Sequence, residues 1–278
     1  MNKIEHIFKY ELINAYLGRL SEDTIPDFNK KWEIIKKWRK SCIDGDLTST
    51  KETSVQGVFL SEVFGTVLGY STFVDGGTYN QIPEFNSTLD GSEADGALGY
   101  FNSSVKLRDI RVAIELKGAT ISLDKKQNRS SHLTPVEQGM SYAHKNGSKC
   151  GWVIISNFVE TRLYKSNSSL EYESFDLTKM DSKVEFIRFY YMLCKDNLIS
   201  EHDKSIMDKL YQENEEIGIS ISNKFYCEYK EIRNDLFKHL KEYNPDKNEI
   251  LLFTKSQKIM DRFTFICFCE DCGLLSRR

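Results

Sequence analysis

One stretch, Ile110-Arg-Val-Ala-Ile-Glu115-Leu-Lys117-Gly, constrains this chain more than any other. Successive side chains of a β-strand point to opposite faces. Ile110, Val112, Ile114 and Leu116 therefore share one face, and Arg111, Ala113, Glu115 and Lys117 share the other. The apolar row needs a core to cover it, while the polar row ends in an acid and an amine on the same side. Upstream, Glu93-Ala-Asp95-Gly-Ala-Leu reads as a second strand, and a hairpin between the two segments sets Asp95 alongside. Two carboxylates and an ammonium meeting at adjacent strand ends suit a hard divalent cation with an activated water. The tripeptide alone equally fits a surface strand that ends in charges, so the rest of the chain must decide.

The 278 residues allow one large domain, or a medium domain with an appendage. No run of eighteen apolar residues is present and the N-terminus lacks a signal-peptide apolar core, so no membrane partner is expected. Seven scattered cysteines, an odd number, do not make a disulfide framework and point to a reducing cytoplasm. A net charge of −3 neither requires nor excludes nucleic acid, because a phosphate grip needs only a local basic surface.

Residues 1–54 read as a helical extension and linker. Phe8, Leu12, Ala15, Tyr16 and Arg19 recur at helical spacing. The run Lys30–Lys40 is either a phosphate-contacting helix or a solvated one with Trp32 and Trp38 turned inward. Residues 41–54, rich in Asp, Ser, Thr and Gly, read as the linker. Apolar residues from Val55 to Leu68 follow a helical period that Gly69 ends, with Glu62 beside that face. A carboxylate there needs a partner, either a salt bridge or a place at the edge of a metal site. After a loop-like interval with one weak strand at 79–82, strands are expected at Glu93–Tyr100 and Asp109–Lys117. Lys117, at a strand end, is expected to be partly exposed.

Gly118–Leu133 is expected to be a mobile basic loop whose Lys125, Lys126 and Arg129 meet phosphates. Thr134-Pro-Val-Glu137 is a capping box that starts a helix running to about Asn146. Strands follow at Trp152–Asn157 and Thr161–Lys165, and helices at Val184–Leu193, Lys204–Glu216, Lys224–Tyr243 and Ser256–Cys269. The last is apolar nearly all round and needs covering by a neighbour. Cys267, Cys269 and Cys272 invite a zinc reading, but no second Cys/His pair has suitable spacing. The fold class is α/β, a mixed central sheet flanked by helices.

Taken together, Glu62-Val-Phe with Leu68-Gly-Tyr, Ala94-Asp-Gly-Ala-Leu, Glu115-Leu-Lys117-Gly, Thr134-Pro-Val-Glu-Gln138 with Tyr142, Ser156-Asn-Phe and Arg162-Leu-Tyr carry a resemblance. In this order they resemble the nuclease domain at the front of type IIG restriction–modification enzymes, in the PD-(D/E)xK superfamily. Gln257–Leu275 is similar to the helical connector that leads into an adenine methyltransferase in that family. The resemblance implies a restriction-endonuclease-like core at 55–178, with a helical connector at 179–278.

It further implies that Asp95, Glu115 and the carbonyl of Leu116 bind magnesium, with manganese as a substitute and Glu62 as a further ligand candidate. Lys117 would orient or deprotonate the attacking water, and Gln138 would be a polar helix residue facing the site. The implied substrate is double-stranded DNA, and the implied partners are a methyltransferase and a target-recognition domain, in this chain or another. A glycine-rich cofactor loop and an Asn-Pro-Pro-Tyr tetrapeptide are absent from the sequence, so no S-adenosylmethionine site is expected in it. The rival expectation is a catalytically silent nuclease fold kept for DNA binding or domain docking.

Overall fold

The structure is a computed structural model that describes residues 6–73, 77–86, 91–127 and 132–275. It divides into two compact units, Met1–Asn214 and Glu215–Arg278. The first therefore takes in the expected extension, the expected nuclease segment and the first part of the expected connector.

Six strands make one mixed sheet in the first unit: β1 (Tyr79–Asn86), β2 (Glu93–Asn102), β3 (Leu107–Leu116), β4 (Trp152–Ser156), β5 (Glu160–Lys165) and β6 (Tyr172–Asp176). Spatial order follows chain order. Neighbours are antiparallel except β3 and β4, which are parallel. A parallel step needs a crossover rather than a tight turn, and α5 (Pro135–Lys145) provides it. Both faces of the central strands are covered. Ala97, Ala113, Val153, Ile155 and Tyr164 pack with Val136, Met140 and Ala143 of α5, and the alternate row, Val112, Ile114, Leu116 and Ile154, is fully buried as well.

Local chemistry explains several boundaries. Thr134 Oγ1 accepts the Glu137 N–H at 3.1 Å and the Glu137 carboxylate accepts the Thr134 N–H at 2.7 Å, closing the expected capping box. At the other end Gly147 takes φ +82°, open to glycine at little cost. A β-bulge shifts the β2–β3 register between Leu98 and Gly99. A Cβ at Gly99 would lie 2.0 Å from the Asp109 carbonyl oxygen, so only glycine fits the bulge.

Ahead of the sheet lie α1 (Tyr10–Leu17), α2 (Phe28–Asp44), α3 (Asp46–Ser49) and α4 (Glu52–Phe59), which continues as a π-helical stretch, Leu60–Val67. The expected linker at 41–54 is thus largely helical. Its polar residues are spent on local hydrogen bonds, Thr48 Oγ1 to the Gly45 carbonyl and Ser49 Oγ to that of Asp46, while Leu47 is buried. On α2 Trp32, Ile35 and Trp38 turn inward and Lys30, Lys36, Lys37 and Lys40 stay exposed.

After the sheet come α6 (Lys183–Leu193), α7 (Lys195–Leu198), α8 (Ile206–Tyr243) and α9 (Glu249–Asp271). The two helices expected within 204–243 are one, because the Gly/Ser-containing stretch between them stays helical. In the second unit Phe263, Phe265, Ile266 and Phe268 of α9 are exposed. Among the described residues, no helix is long and apolar enough to cross a membrane.

Candidate active site

The register that sets Gly96 against Ile114 makes Asp95 and Glu115 the next pair, on one face of the sheet. The Lys117 N–H then bonds the Ser156 carbonyl at 2.8 Å, extending the ladder to β4. Asp95 is held in place by the backbone, its Oδ2 accepting the Leu116 N–H at 2.7 Å.

Lys117 binds this cluster together. Its Nζ donates to the Glu115 carboxylate and to the Leu116 carbonyl at 3.0 Å, and pairs with Asp95 Oδ2 at 3.5 Å. The ammonium is thus surrounded by the three oxygens that the resemblance assigns to a metal. Glu115 and Lys117 are only 2% and 3% exposed, whereas the Asp95 side chain is 27% exposed and forms the open side. Lys117 is therefore not partly exposed as its strand-end position suggests, because two carboxylates draw it inward.

The donors here are two carboxylates and a carbonyl, all hard oxygens. Magnesium is held by one or two carboxylates and keeps several waters, so the chemistry of the set fits that ion. Among the described residues no group of three or more His, Cys, Asp or Glu side chains forms a metal-binding cluster. At the C-terminal cysteines, Cys269 is buried while Cys267 and Cys272 are exposed.

Glu62 is not brought to this cluster. Its Oε2 accepts the Trp38 indole N–H at 2.8 Å, beside a shallow pocket shared with Lys37, Ser41, Leu47 and Val58. The leading helix supplies Glu52 instead, whose carboxylate accepts the Gly118 N–H directly after Lys117. Ten residues at about 1.5 Å each separate the two acids by roughly 15 Å along the helix. One turn after Glu52, Gln56 Nε2 donates to the Asp95 carbonyl at 3.2 Å. The sequence signal for both was the i,i+4 pair Glu52/Gln56, hidden because residues 41–54 look like a linker.

Gln138 Oε1 accepts from Gln127 Nε2 at 3.2 Å, which ties α5 to the wall of a cleft of about 520 Å³. Glu52, Lys117, Lys125, Lys126 and Gln127 line that cleft. Gly139 brings α5 close beneath it, since a Cβ there would lie 3.5 Å from Glu115 Cβ and 2.2 Å from Ile155 Cδ1.

The described part of the basic segment, residues 118–127, is anchored rather than loose. The Ile121 carbonyl accepts Asn157 Nδ2 at 3.0 Å, Leu123 is buried, and Asp124 pairs with Arg162. That pairing holds the Asp124 carboxyl below its ordinary value, chiefly through the Arg162 hydrogen bond. Arg129 lies outside the described residues. No family model, curated protein or solved structure matches the chain.

Proposed function

We propose that the chain is a magnesium-dependent DNA endonuclease of the PD-(D/E)xK type, working in the cytoplasm as the nuclease part of a type IIG restriction–modification system. The observation that carries this reading is the meeting of Asp95, Glu115, the Leu116 carbonyl and Lys117 at the ends of β2 and β3. Element order supports it: a leading helix, a three-stranded antiparallel meander, a crossover helix and a parallel fourth strand precede a returning antiparallel one.

Asp95 and Glu115, with the Leu116 carbonyl, would hold the ion, and manganese would substitute. Bound there, the ion supplies charge neutralisation at the phosphate and a more acidic water. Lys117 would set its positive charge against the phosphate or, having first given up its own proton, would take one from the attacking water. Glu52 fixes the turn after Lys117 through the Gly118 amide, and Gln56 steadies Asp95 through its backbone. Lys125 and Lys126 face the DNA backbone. The exposed apolar residues of α9 suit a methyltransferase or target-recognition domain as partner, in the same or another chain.

The test is nicking of supercoiled plasmid with magnesium by wild type and by Asp95→Asn. Asp95 is part-exposed, so the variant should fold. It should lose cutting by on the order of a hundred-fold or more and still bind DNA. Equal cutting by the two proteins refutes the site. Binding without cutting by wild type, even with the partner domain supplied, replaces the enzyme with a silent DNA-binding module.

A further inference from the structure

We propose that Arg162 and Asp124 are positioning residues that preset Lys125 and Lys126 as a fixed pair of cations for a DNA backbone. This rests on the reading of the cleft as a DNA-cutting site.

Arg162 projects from β5, and its side chain is 7% exposed. Its Nε and Nη2 donate to the two Glu160 oxygens at 2.7 and 3.1 Å. Its Nη1 and Nη2 donate to the two Asp124 oxygens at 2.7 and 2.9 Å, and Nη1 also reaches the Tyr164 hydroxyl at 3.3 Å. The Tyr172 ring lies beneath the guanidinium, 4.5 Å from its centre. A planar fork used on two carboxylates at once fixes direction as well as distance, which a lysine cannot do.

Among the described residues, only the Asp124 arm of this network reaches the basic segment. Glu160, Tyr164 and Tyr172 all belong to β5 and β6 and hold Arg162 rigid from behind. The Asp124 side chain is 66% exposed and directly precedes the two lysines. A carboxylate there weakens the positive field that phosphate would feel. Its presence is favourable for DNA only if it does something else, and holding the backbone of Lys125 is what the geometry provides. Cations whose backbone is already fixed lose less freedom on binding.

The two effects of Asp124 carry opposite signs, and this makes the test sharp. Full-length Asp124→Ala keeps Arg162 paired with Glu160, so no buried charge is stranded. If Asp124 acts only as a charge, its removal tightens binding to duplex DNA and steepens the salt dependence. If it positions, affinity falls about three- to ten-fold, and the salt slope drops toward that of Lys125→Ala/Lys126→Ala, which should lose about 0.9 per lysine. On that double-alanine background Asp124→Ala should weaken binding no further.

A second readout needs no DNA: trypsin should cut after Lys125 or Lys126 sooner in Asp124→Ala, and in Arg162→Lys, than in wild type. Unchanged cleavage, or tighter DNA binding by Asp124→Ala, overturns the proposal. Faster cleavage with a wild-type salt slope for the double-alanine variant overturns it too, because those lysines then do not meet phosphate. That outcome leaves the cutting reading to be decided by Asp95→Asn alone.

Discussion

Replacing Lys117 by alanine tests the site through stability before any DNA is added. In the folded chain one ammonium serves two carboxylates, and both Lys117 and Glu115 are buried. Removing one partner of a buried ion pair costs about 3–5 kcal/mol. The lower end applies here, because Asp95 keeps its bond from the Leu116 N–H and is partly open to water. About 3 kcal/mol in a unit of this size lowers Tm by roughly 6–12 °C. The measurement is a thermal melt by circular dichroism, first in EDTA and then with rising magnesium. A cation taken up between the same carboxylates should return part of the loss, about 2.7 kcal/mol at a hundred times its Kd. Wild type should gain less, since there the ion competes with an ammonium already in place. If Lys117→Ala melts within a degree or two of wild type in EDTA, the ammonium does not hold the carboxylates together, and the geometry argued above is wrong.

Glu52→Gln should reduce plasmid nicking by more than Glu62→Gln does; the reverse order would return Glu62 to the site. Gly139→Ala should destabilise by about 1–3 kcal/mol despite the better helix propensity of alanine, because the new methyl meets Ile155 and Val153; a raised Tm counts against the close packing of α5. The Asp124 carboxyl is held below its ordinary value by Arg162, so its anchoring is fully present above that ordinary value and is lost only as pH falls through the depressed pKa. Amide shifts of Lys125 and Lys126, followed by NMR, should therefore show a midpoint below that of an unpaired aspartate, and an unshifted or raised midpoint refutes the pairing.

The parts legible in the sequence are those set by neighbours along the chain. Alternation gave β3 and placed Glu115 and Lys117 on one side, and the capping box fixed the start of α5 to the residue. What escaped depends on distant partners. β6 reads as polar because it carries Glu173, whose buried carboxylate is satisfied by the Phe8 N–H, by His6 and by Arg188 from far along the chain. Glu62 sits where helical periodicity would put a site acid, yet the Trp38 indole claims it. Glu52 is hidden because Thr48, Ser49 and Thr50 before it turn their hydroxyls back onto the Gly45 and Asp46 carbonyls, which composition cannot distinguish from a linker.

The π-helical stretch after α4 has a consequence for how this chain can change. Its far end is fixed in the core by Val63, Phe64 and Val67, and its near end carries Gln56 and Glu52 toward the cleft. A π-helix holds one more residue per turn than its hydrogen-bonding frame needs as an α-helix. Deleting a single residue there lets the segment wind as ordinary α-helix, at little cost in hydrogen bonds. The tighter winding offsets the turn that the lost residue carried, so the segments on either side keep nearly the same facing. Gln56 and Glu52 would then stay turned to the cleft. The same loss within the regular turns of α4 after Gln56 has no such slack, and it would turn both groups by about 100° off the cleft while the sheet and its acids stay in place.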